Sequence, residues 1–267
     1  MHPLDEIEAL CRLLRDAAGE ELLPRFARVQ RRTKTDGSIV TTADTATQQC
    51  LLAELCARYP GIPLLGEEMD GDRQRRLLAE APTLWCLDPL DGTSNFAAGI
   101  PYFAISLALI ERGAAVLGIV YDPMREECFV ARRGQGASLN GQPLHARGAP
   151  CALSQAMALV DFKRLPRALA VRLVAEAPYA SQRSFGAVAL DWCWLAAGRC
   201  QVYLHGRQHL WDYAAGQLIH TEAGGRSATL DGEAVFRLQR PPRSAVAARD
   251  EVLFAAWCRW LGVPLAG

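Results

Sequence analysis

Residues 85–96 read WCLDPLDGTSNF: an apolar segment runs straight into Asp88 and Asp91, then into a glycine and two hydroxyls. Trp85, Cys86 and Leu87 have the composition of a buried strand. Pro89 and Gly92 predict a turn directly after it. Two carboxylates this close destabilise each other unless a positive charge sits between them. Whatever neutralises them has to come from elsewhere in the chain or be bound from solution.

The chain has 267 residues, enough for one large domain or two intimately packed lobes. Lysine plus arginine equals aspartate plus glutamate at 29 each, so no global charge argues for nucleic acid or membrane as a partner. No basic stripe with interleaved aromatics marks a nucleic-acid face. Nine cysteines, without a CxxC pair or a zinc spacing, read as reduced and mostly buried. The amino terminus lacks a signal-like pattern, and no uncharged apolar run approaches the ~18 residues of a membrane helix. A soluble, cytoplasmic protein with a small-molecule partner is the expectation.

Ile7, Leu10, Cys11 and Leu14 keep helical spacing within residues 3–27. Residues 41–61 predict a second helix, with Asp44 as its N-cap and Pro60-Gly61 as its stop. IPLL leads to Gly66-Glu67-Glu68, and RQRRLLAEA predicts a surface helix. YFAISLALI, AAVLGIVYDP and EECFVAR predict an antiparallel meander, whereas RRGQGASLNGQPL reads as turns. Farther on, ALSQAMALV and QVYLH predict strands; PRALAVRLVAEA, GAVALDWCWLAAGR and LWDYAAGQLIHTEAGG predict helices. The stretch 140–152 is read as a junction between an N-terminal lobe, 1–145, and a C-terminal lobe, 146–267, of one compact unit.

Four acids sit oddly. Glu67 and Asp88 follow apolar strand-like runs, Asp91 crowds Asp88, and Asp212 opens a helix of small and apolar residues. A bare carboxylate at the end of a buried element is costly. A hard divalent cation resolves the cost, because Mg²⁺ takes carboxylate, carbonyl and water oxygens. Gly92 lets backbone approach a ligand, and amides at a following helix start favour phosphate. Acids for metal beside amides for phosphate suit metal-assisted phosphoryl transfer.

In chain order, TTAD at 41–44, GEE at 66–68, DPLDGT at 88–93 and WDYAAG at 211–216 resemble the motifs of the inositol monophosphatase family, within the lithium-sensitive, magnesium-dependent phosphatases. The resemblance implies a mixed α/β (α+β) fold, a layered αβαβα sandwich of the inositol monophosphatase/fructose-1,6-bisphosphatase type, and a homodimer. It implies two or three Mg²⁺ ions held by Glu67, Asp88, the carbonyl of Leu90, Asp91 and Asp212. Thr93, paired with Asp44, would orient and help deprotonate a water, with Glu67 counted among the catalytic residues. The amides of Gly92 and Thr93 would hold phosphate, and Asp91, Gly186, Ala187, Val188, His205 and Asp212 would contact the rest of the substrate. The implied reaction is hydrolysis of a small phosphomonoester without a phosphoenzyme. Nucleoside 3'(2'),5'-bisphosphates, histidinol phosphate and sugar phosphates are alternative substrates, and a phosphatase-fold binding or regulatory protein is the alternative of another class.

The chain departs from the family pattern at recognition positions. His205 stands where inositol-processing members carry a substrate-binding glutamate; its plainer reading is a surface histidine in a loop. Val188 replaces a smaller residue, and Ile39 a proline, while Lys34 keeps the basic position of a loop expected to close over the site. Cys193 and Arg199 fit the C-x5-R spacing of cysteine-dependent phosphatases. The apolar helical rhythm of WCWLAAG makes that cysteine structural instead.

Overall fold

The computed structural model describes residues 4, 6–29, 32–33, 39–146, 148–149 and 151–264; Lys34 lies outside them. Helix α1 (Ile7–Ala17) buries Leu10, Leu13, Leu14 and Ala17 along one stripe, then widens through a π turn and tightens in a 3₁₀ turn that ends at Arg25. Short strands β1 (Arg32–Thr33) and β2 (Ile39–Val40) pair antiparallel ahead of α2 (Thr42–Arg58). Asp44 is not the N-cap of α2, as expected, but its third residue. Thr41 is the cap: its hydroxyl accepts from the Ala43 N–H at 3.2 Å, while Asp44 accepts the Thr41 N–H at 2.7 Å. That reciprocal arrangement is a capping box.

The chain then builds a seven-stranded sheet in sequence order. Strand β3 (Leu64–Gly66) lies parallel to β4 (Thr83–Asp91), with α3 (Gly71–Glu80) between them in the chain. After α4 (Thr93–Ala98), the predicted meander follows as β5 (Ala104–Glu111), β6 (Ala114–Asp122) and β7 (Glu127–Arg132), all antiparallel. RRGQGASLNGQPL is not all turn: it contains the hairpin of β8 (Ala137–Leu139) and β9 (Gln142–Leu144). Asn140 and Gly141 join these strands with φ of 50° and 78°, the doubly positive turn that suits hairpin twist.

The second sheet is five-stranded. It is made of β10 (Met157–Asp161), β11 (Ser181–Arg183), β12 (Val202–Gln208), β13 (Arg226–Ala228) and β14 (Arg243–Ala248), in the order β11-β10-β12-β14-β13. Helices α5 (Arg167–Ala175), α6 (Val188–Ala196), α7 (Leu210–Glu222) and α8 (Glu251–Leu261) intervene or follow. β11, β13, β14 and α8 have no counterpart among the predicted elements.

Five layers result. On β4, β5 and β6, Trp85, Leu87, Ile105, Leu107, Leu117 and Ile119 point to α1 and α2. The alternate residues, among them Cys86, Ala104, Ala108 and Val120, point to α6 and α7. The period-2 alternation of a strand thus buries both faces. Helices α6 and α7 are in turn covered by the five-stranded sheet, whose outer face packs on α8 and on Leu173 of α5. The order is the expected αβαβα.

His220, in the last turn of α7, is fully buried beside the Trp192 ring, with its Nε2 3.3 Å from the Arg226 carbonyl. Burial pushes its pKa down to about 4. An unfolded chain protonates this ring near 6.5, so between there and about 4 the unfolded state binds the extra proton. Stability is fully present above that window and falls as pH drops through it, by about 3 kcal/mol in all. Urea unfolding at pH 7 and pH 5 is expected to show a shallower pH dependence for His220→Gln than for wild type. Equal slopes would show that the buried ring titrates normally.

Candidate active site

β4 and β5 pair in regular register down to Asp88↔Ser106 and resume at Asp91↔Ala104. Pro89 and Leu90 therefore oppose Ile105 alone, which makes a β-bulge at a point where proline has no N–H for the ladder. In a regular strand, residues three apart face opposite ways. The extra residue brings Asp88 and Asp91 onto one cavity. The predicted DPLDGT turn is thus corrected: the strand runs to Asp91, and the chain turns at Gly92, whose φ is 92°.

The cavity, of about 170 Å³, lies where the end of β4 meets β12 and the first turns of α6 and α7. Glu67, Asp88, Leu90, Asp91 and Asp212 all line it, as do Gly92, Thr93, Gly186, Val188 and His205. Ala187 is fully buried and does not line the wall. Five further residues line the cavity that sequence reasoning missed: Asp161, Arg164, Asp191, Arg207 and His209. For Asp161 the signal was available, since it follows an apolar run, ALV, as Asp88 follows WCL.

Backbone amides hold the buried acids. Asp88 accepts the Leu90 N–H at 3.0 Å, and Asp212, the third residue of α7, accepts the His209 N–H at 2.7 Å. Both oxygens of Asp91 are used, accepting from Val188 at 3.1 Å and Ala189 at 2.6 Å, so Asp91 caps α6 from across the molecule. Burial raises the carboxyl pKa of Asp88 well above the usual range, reinforced by Glu67, Asp91 and Asp212. Burial likewise pushes Asp91 up to about 8, against the pull of the Ala189 amide. Asp212 is raised by burial and then by Asp91 and Glu67.

Among the described residues, no three His, Cys, Asp or Glu side chains close into a ready-made cation cage. The donor chemistry nevertheless fits a hard divalent cation. Buried, mutually repelling carboxylates share one cavity with a backbone carbonyl, and no described lysine or arginine hydrogen-bonds Asp88, Asp91 or Asp212.

Thr93 extends the cluster to Asp44. Its hydroxyl lies 2.9 Å from Asp44 Oδ1 and 3.0 Å from the Leu90 carbonyl oxygen. Burial raises the Asp44 pKa, opposed by the hydroxyl and N–H of Thr41 and by Thr93. A single hydroxyl proton cannot serve both acceptors, and once it is donated the oxygen faces the cavity as an acceptor.

His205 is neither superficial nor in a loop. It is 4% exposed, within β12, and is the register partner of Asp161 on β10. Its Nε2 lies 3.1 Å from Asp161 Oδ2, and its Nδ1 accepts the Arg207 N–H at 3.2 Å. Burial works against ionisation of Asp161, but the bond and charge of His205 and the Lys163 amide hold its pKa below the usual value. Cys193 is buried inside α6, where burial pushes its thiol well up, and Arg199 is paired with Glu127 at 2.7 Å. Neither group is available as a nucleophile or phosphate clamp.

Two packed sheets with a carboxylate cavity at their junction make the molecule a layered α/β sandwich. The chain matches the inositol monophosphatase family over residues 4–259 and belongs to it. It is 33% identical over 203 residues to Nus factor SuhB of Pasteurella multocida, covering 74% of each chain. It is 35% identical to inositol-1-monophosphatase of Mesorhizobium japonicum, covering 80% of this chain and 82% of that one. The crystal structure of extragenic suppressor protein suhB from Bartonella henselae superposes with a TM-score of 0.82 at 29% identity, covering 95% of this chain and 98% of that one. No helix of the described residues is long and apolar enough to cross a membrane.

Proposed function

We propose that this protein is a Mg²⁺-dependent phosphomonoester hydrolase acting on a small phosphorylated substrate. The observation that carries the reading is the convergence of Glu67, Asp88, Asp91 and Asp212 with Thr93 on one cavity. Glu67, Asp88, the Leu90 carbonyl, Asp91 and Asp212 would hold the ions. Bound there, Mg²⁺ supplies Lewis acidity that makes hydroxide available near neutrality and offsets charge on the departing oxygen.

The chain's own residues do the rest. Thr93 gives its proton to Asp44 and turns its oxygen toward the attacking water, setting its orientation and accepting its proton. The amides of Gly92 and Thr93 receive phosphate oxygens. Asp91 pins the start of α6, which fixes Gly186 and Val188 against the substrate.

Phosphate release from inositol 1-phosphate, histidinol phosphate, fructose 1,6-bisphosphate and adenosine 3',5'-bisphosphate is the direct test. Release with Mg²⁺ and none with EDTA is expected. Thr93→Ala is expected to lower kcat by about a hundredfold or more with little change in KM. Undiminished turnover in that variant would remove Thr93 from the mechanism. The Pasteurella relative, a Nus factor, supports a second reading, a regulatory binding role on the same fold. Folded protein that releases phosphate from none of the four compounds would favour it.

A further inference from the structure

The cavity that holds the carboxylates opens into a much larger cleft of about 900 Å³, and the two share Glu67, Arg164, Arg207, His209 and Asp212 as a common wall. At about 170 Å³ the inner cavity is smaller than the ~300–1,000 Å³ typical of whole-ligand sites, whereas the cleft falls within that range. A phosphate with its ions fits the first; the remainder of the substrate has to occupy the second.

The charge of the cleft is one-sided. Beside His209, its ionisable lining consists of Arg75, Lys163, Arg164, Arg207 and Arg240 against only Glu67 and Asp212, and both acids belong to the carboxylate cluster. In a chain with 29 cations and 29 anions this is a local imbalance. Arg75 is taken up by Asp72, whereas Arg164, Arg207 and Arg240 are placed by the backbone around them. β12 carries a second bulge, between His205 and Gln208, where Gly206 and Arg207 oppose Ser244 alone. A Cβ on Gly206 would lie 1.9 Å from the Arg164 carbonyl oxygen, so bare backbone presses on backbone and sets Arg164 and Arg207 side by side. Neither guanidinium makes a hydrogen bond or ion pair with another described residue, while the charge of Arg164 reaches Asp161 and Asp212 and favours their ionised forms. Across the cleft, Arg240 donates through Nε to Oε1 of Gln74 at 3.1 Å. Gln74 is 2% exposed and donates in turn to the Gly66 carbonyl at 2.9 Å, which ties Arg240 to the segment that carries Glu67.

We infer that the substrate's leaving group carries a second anionic group, a phosphate, held in this cleft by Arg164, Arg207 and Arg240. The inference rests on the phosphatase reading and deepens it, selecting bisphosphorylated compounds over neutral polyol monophosphates. Arginine suits the task because its planar fork matches phosphate oxygens.

Matched pairs test it: adenosine 3',5'-bisphosphate against adenosine 3'-phosphate, and fructose 1,6-bisphosphate against fructose 1-phosphate. Wild type with Mg²⁺ is expected to favour the bisphosphate of each pair by about tenfold or more in kcat/KM. Arg207→Ala and Arg240→Ala are each expected to reduce that ratio about tenfold, with Arg240→Lys restoring part of it. Binding of the adenosine pair is also measured by calorimetry in EDTA, where turnover plays no part. Hydrolysis of both members of each pair with equal kcat/KM would overturn the inference and leave the phosphatase reading intact. If neither member of either pair is hydrolysed while inositol 1-phosphate or histidinol phosphate is, the inference is overturned and the phosphatase reading stands. If none of these compounds is hydrolysed, the phosphatase reading fails, and binding decides the subsite. A preference for the bisphosphate that is lost in Arg207→Ala keeps it, and equal binding removes it.

Discussion

Replacing Asp88 with asparagine is expected to lower Mg²⁺-dependent phosphate release on the order of a thousandfold, while making the metal-free protein harder to unfold. The first effect follows from a lost ligand charge, worth several kcal/mol where ~1.4 kcal/mol is a factor of ten. The second follows from geometry. Asp88 is buried and faces Glu67, Asp91 and Asp212, with a single backbone N–H as its hydrogen-bond donor among the described residues. Its carboxyl pKa is raised in the folded state, so the native protein holds the proton at a pH where the unfolded chain has lost it. By linkage, its contribution is most favourable at acid pH and is lost as pH rises through the raised value. Asparagine keeps the acceptor for the Leu90 N–H and removes the charge. Asp91 is the poorer position for this test, because both its oxygens accept amides and an NH₂ would face an N–H donor. Urea unfolding in EDTA at pH 7, repeated with Mg²⁺, reads the result. Mg²⁺ should raise the wild-type midpoint more than that of Asp88→Asn. A variant that is both active and less stable without metal would refute the placement of an ion at Asp88.

The acids were legible because a carboxylate after an apolar run is conspicuous, and because the four motifs stand in an ordered set. Their common orientation was not. Nothing local to Asp-Pro-Leu-Asp distinguishes a turn from a bulged strand, since pairing with β5 decides it. The same holds for His205: a histidine in QVYLHGRQ is uninformative until parallel pairing sets it beside Asp161. The meander of β5 to β7 could be read because its contacts are between chain neighbours. β13 and β14 could not, because both are short, irregular in pattern, and stabilised by pairing with each other and with β12. Nothing local in the sequence marks Arg164, Arg207 or Arg240; only the β12 bulge, the close approach at Gly206 and the Gln74 tether bring them to one cleft.

Gly216→Ala sets two effects of opposite sign against each other, both of known size. In a helix interior, alanine is favoured over glycine by about 0.5–1 kcal/mol. Packing opposes it, because a Cβ at 216 would lie 2.7 Å from Trp192 Cβ and 3.1 Å from the Ala189 carbonyl oxygen. Helix α7 cannot retreat the other way: a Cβ on Gly118 of β6 would already lie 2.7 Å from the Ala215 carbonyl oxygen. The helix is wedged between backbones, and overpacking at such a point costs about 1–3 kcal/mol. Packing is therefore expected to win, with a net loss of roughly 1–2 kcal/mol, larger for Gly216→Val. The strain reaches the site, because Trp192 and Ala189 belong to α6, whose first amides hold Asp91, while α7 carries Asp212. A displacement near 1 Å between these two acids is enough to cost about a hundredfold in rate. Urea unfolding followed by circular dichroism, with kcat/KM on the best substrate, measures both. Should Gly216→Ala prove more stable than wild type and equally active, the α6–α7 seam would be slack, and the spacing of Asp91 and Asp212 would have to be set by the sheets alone.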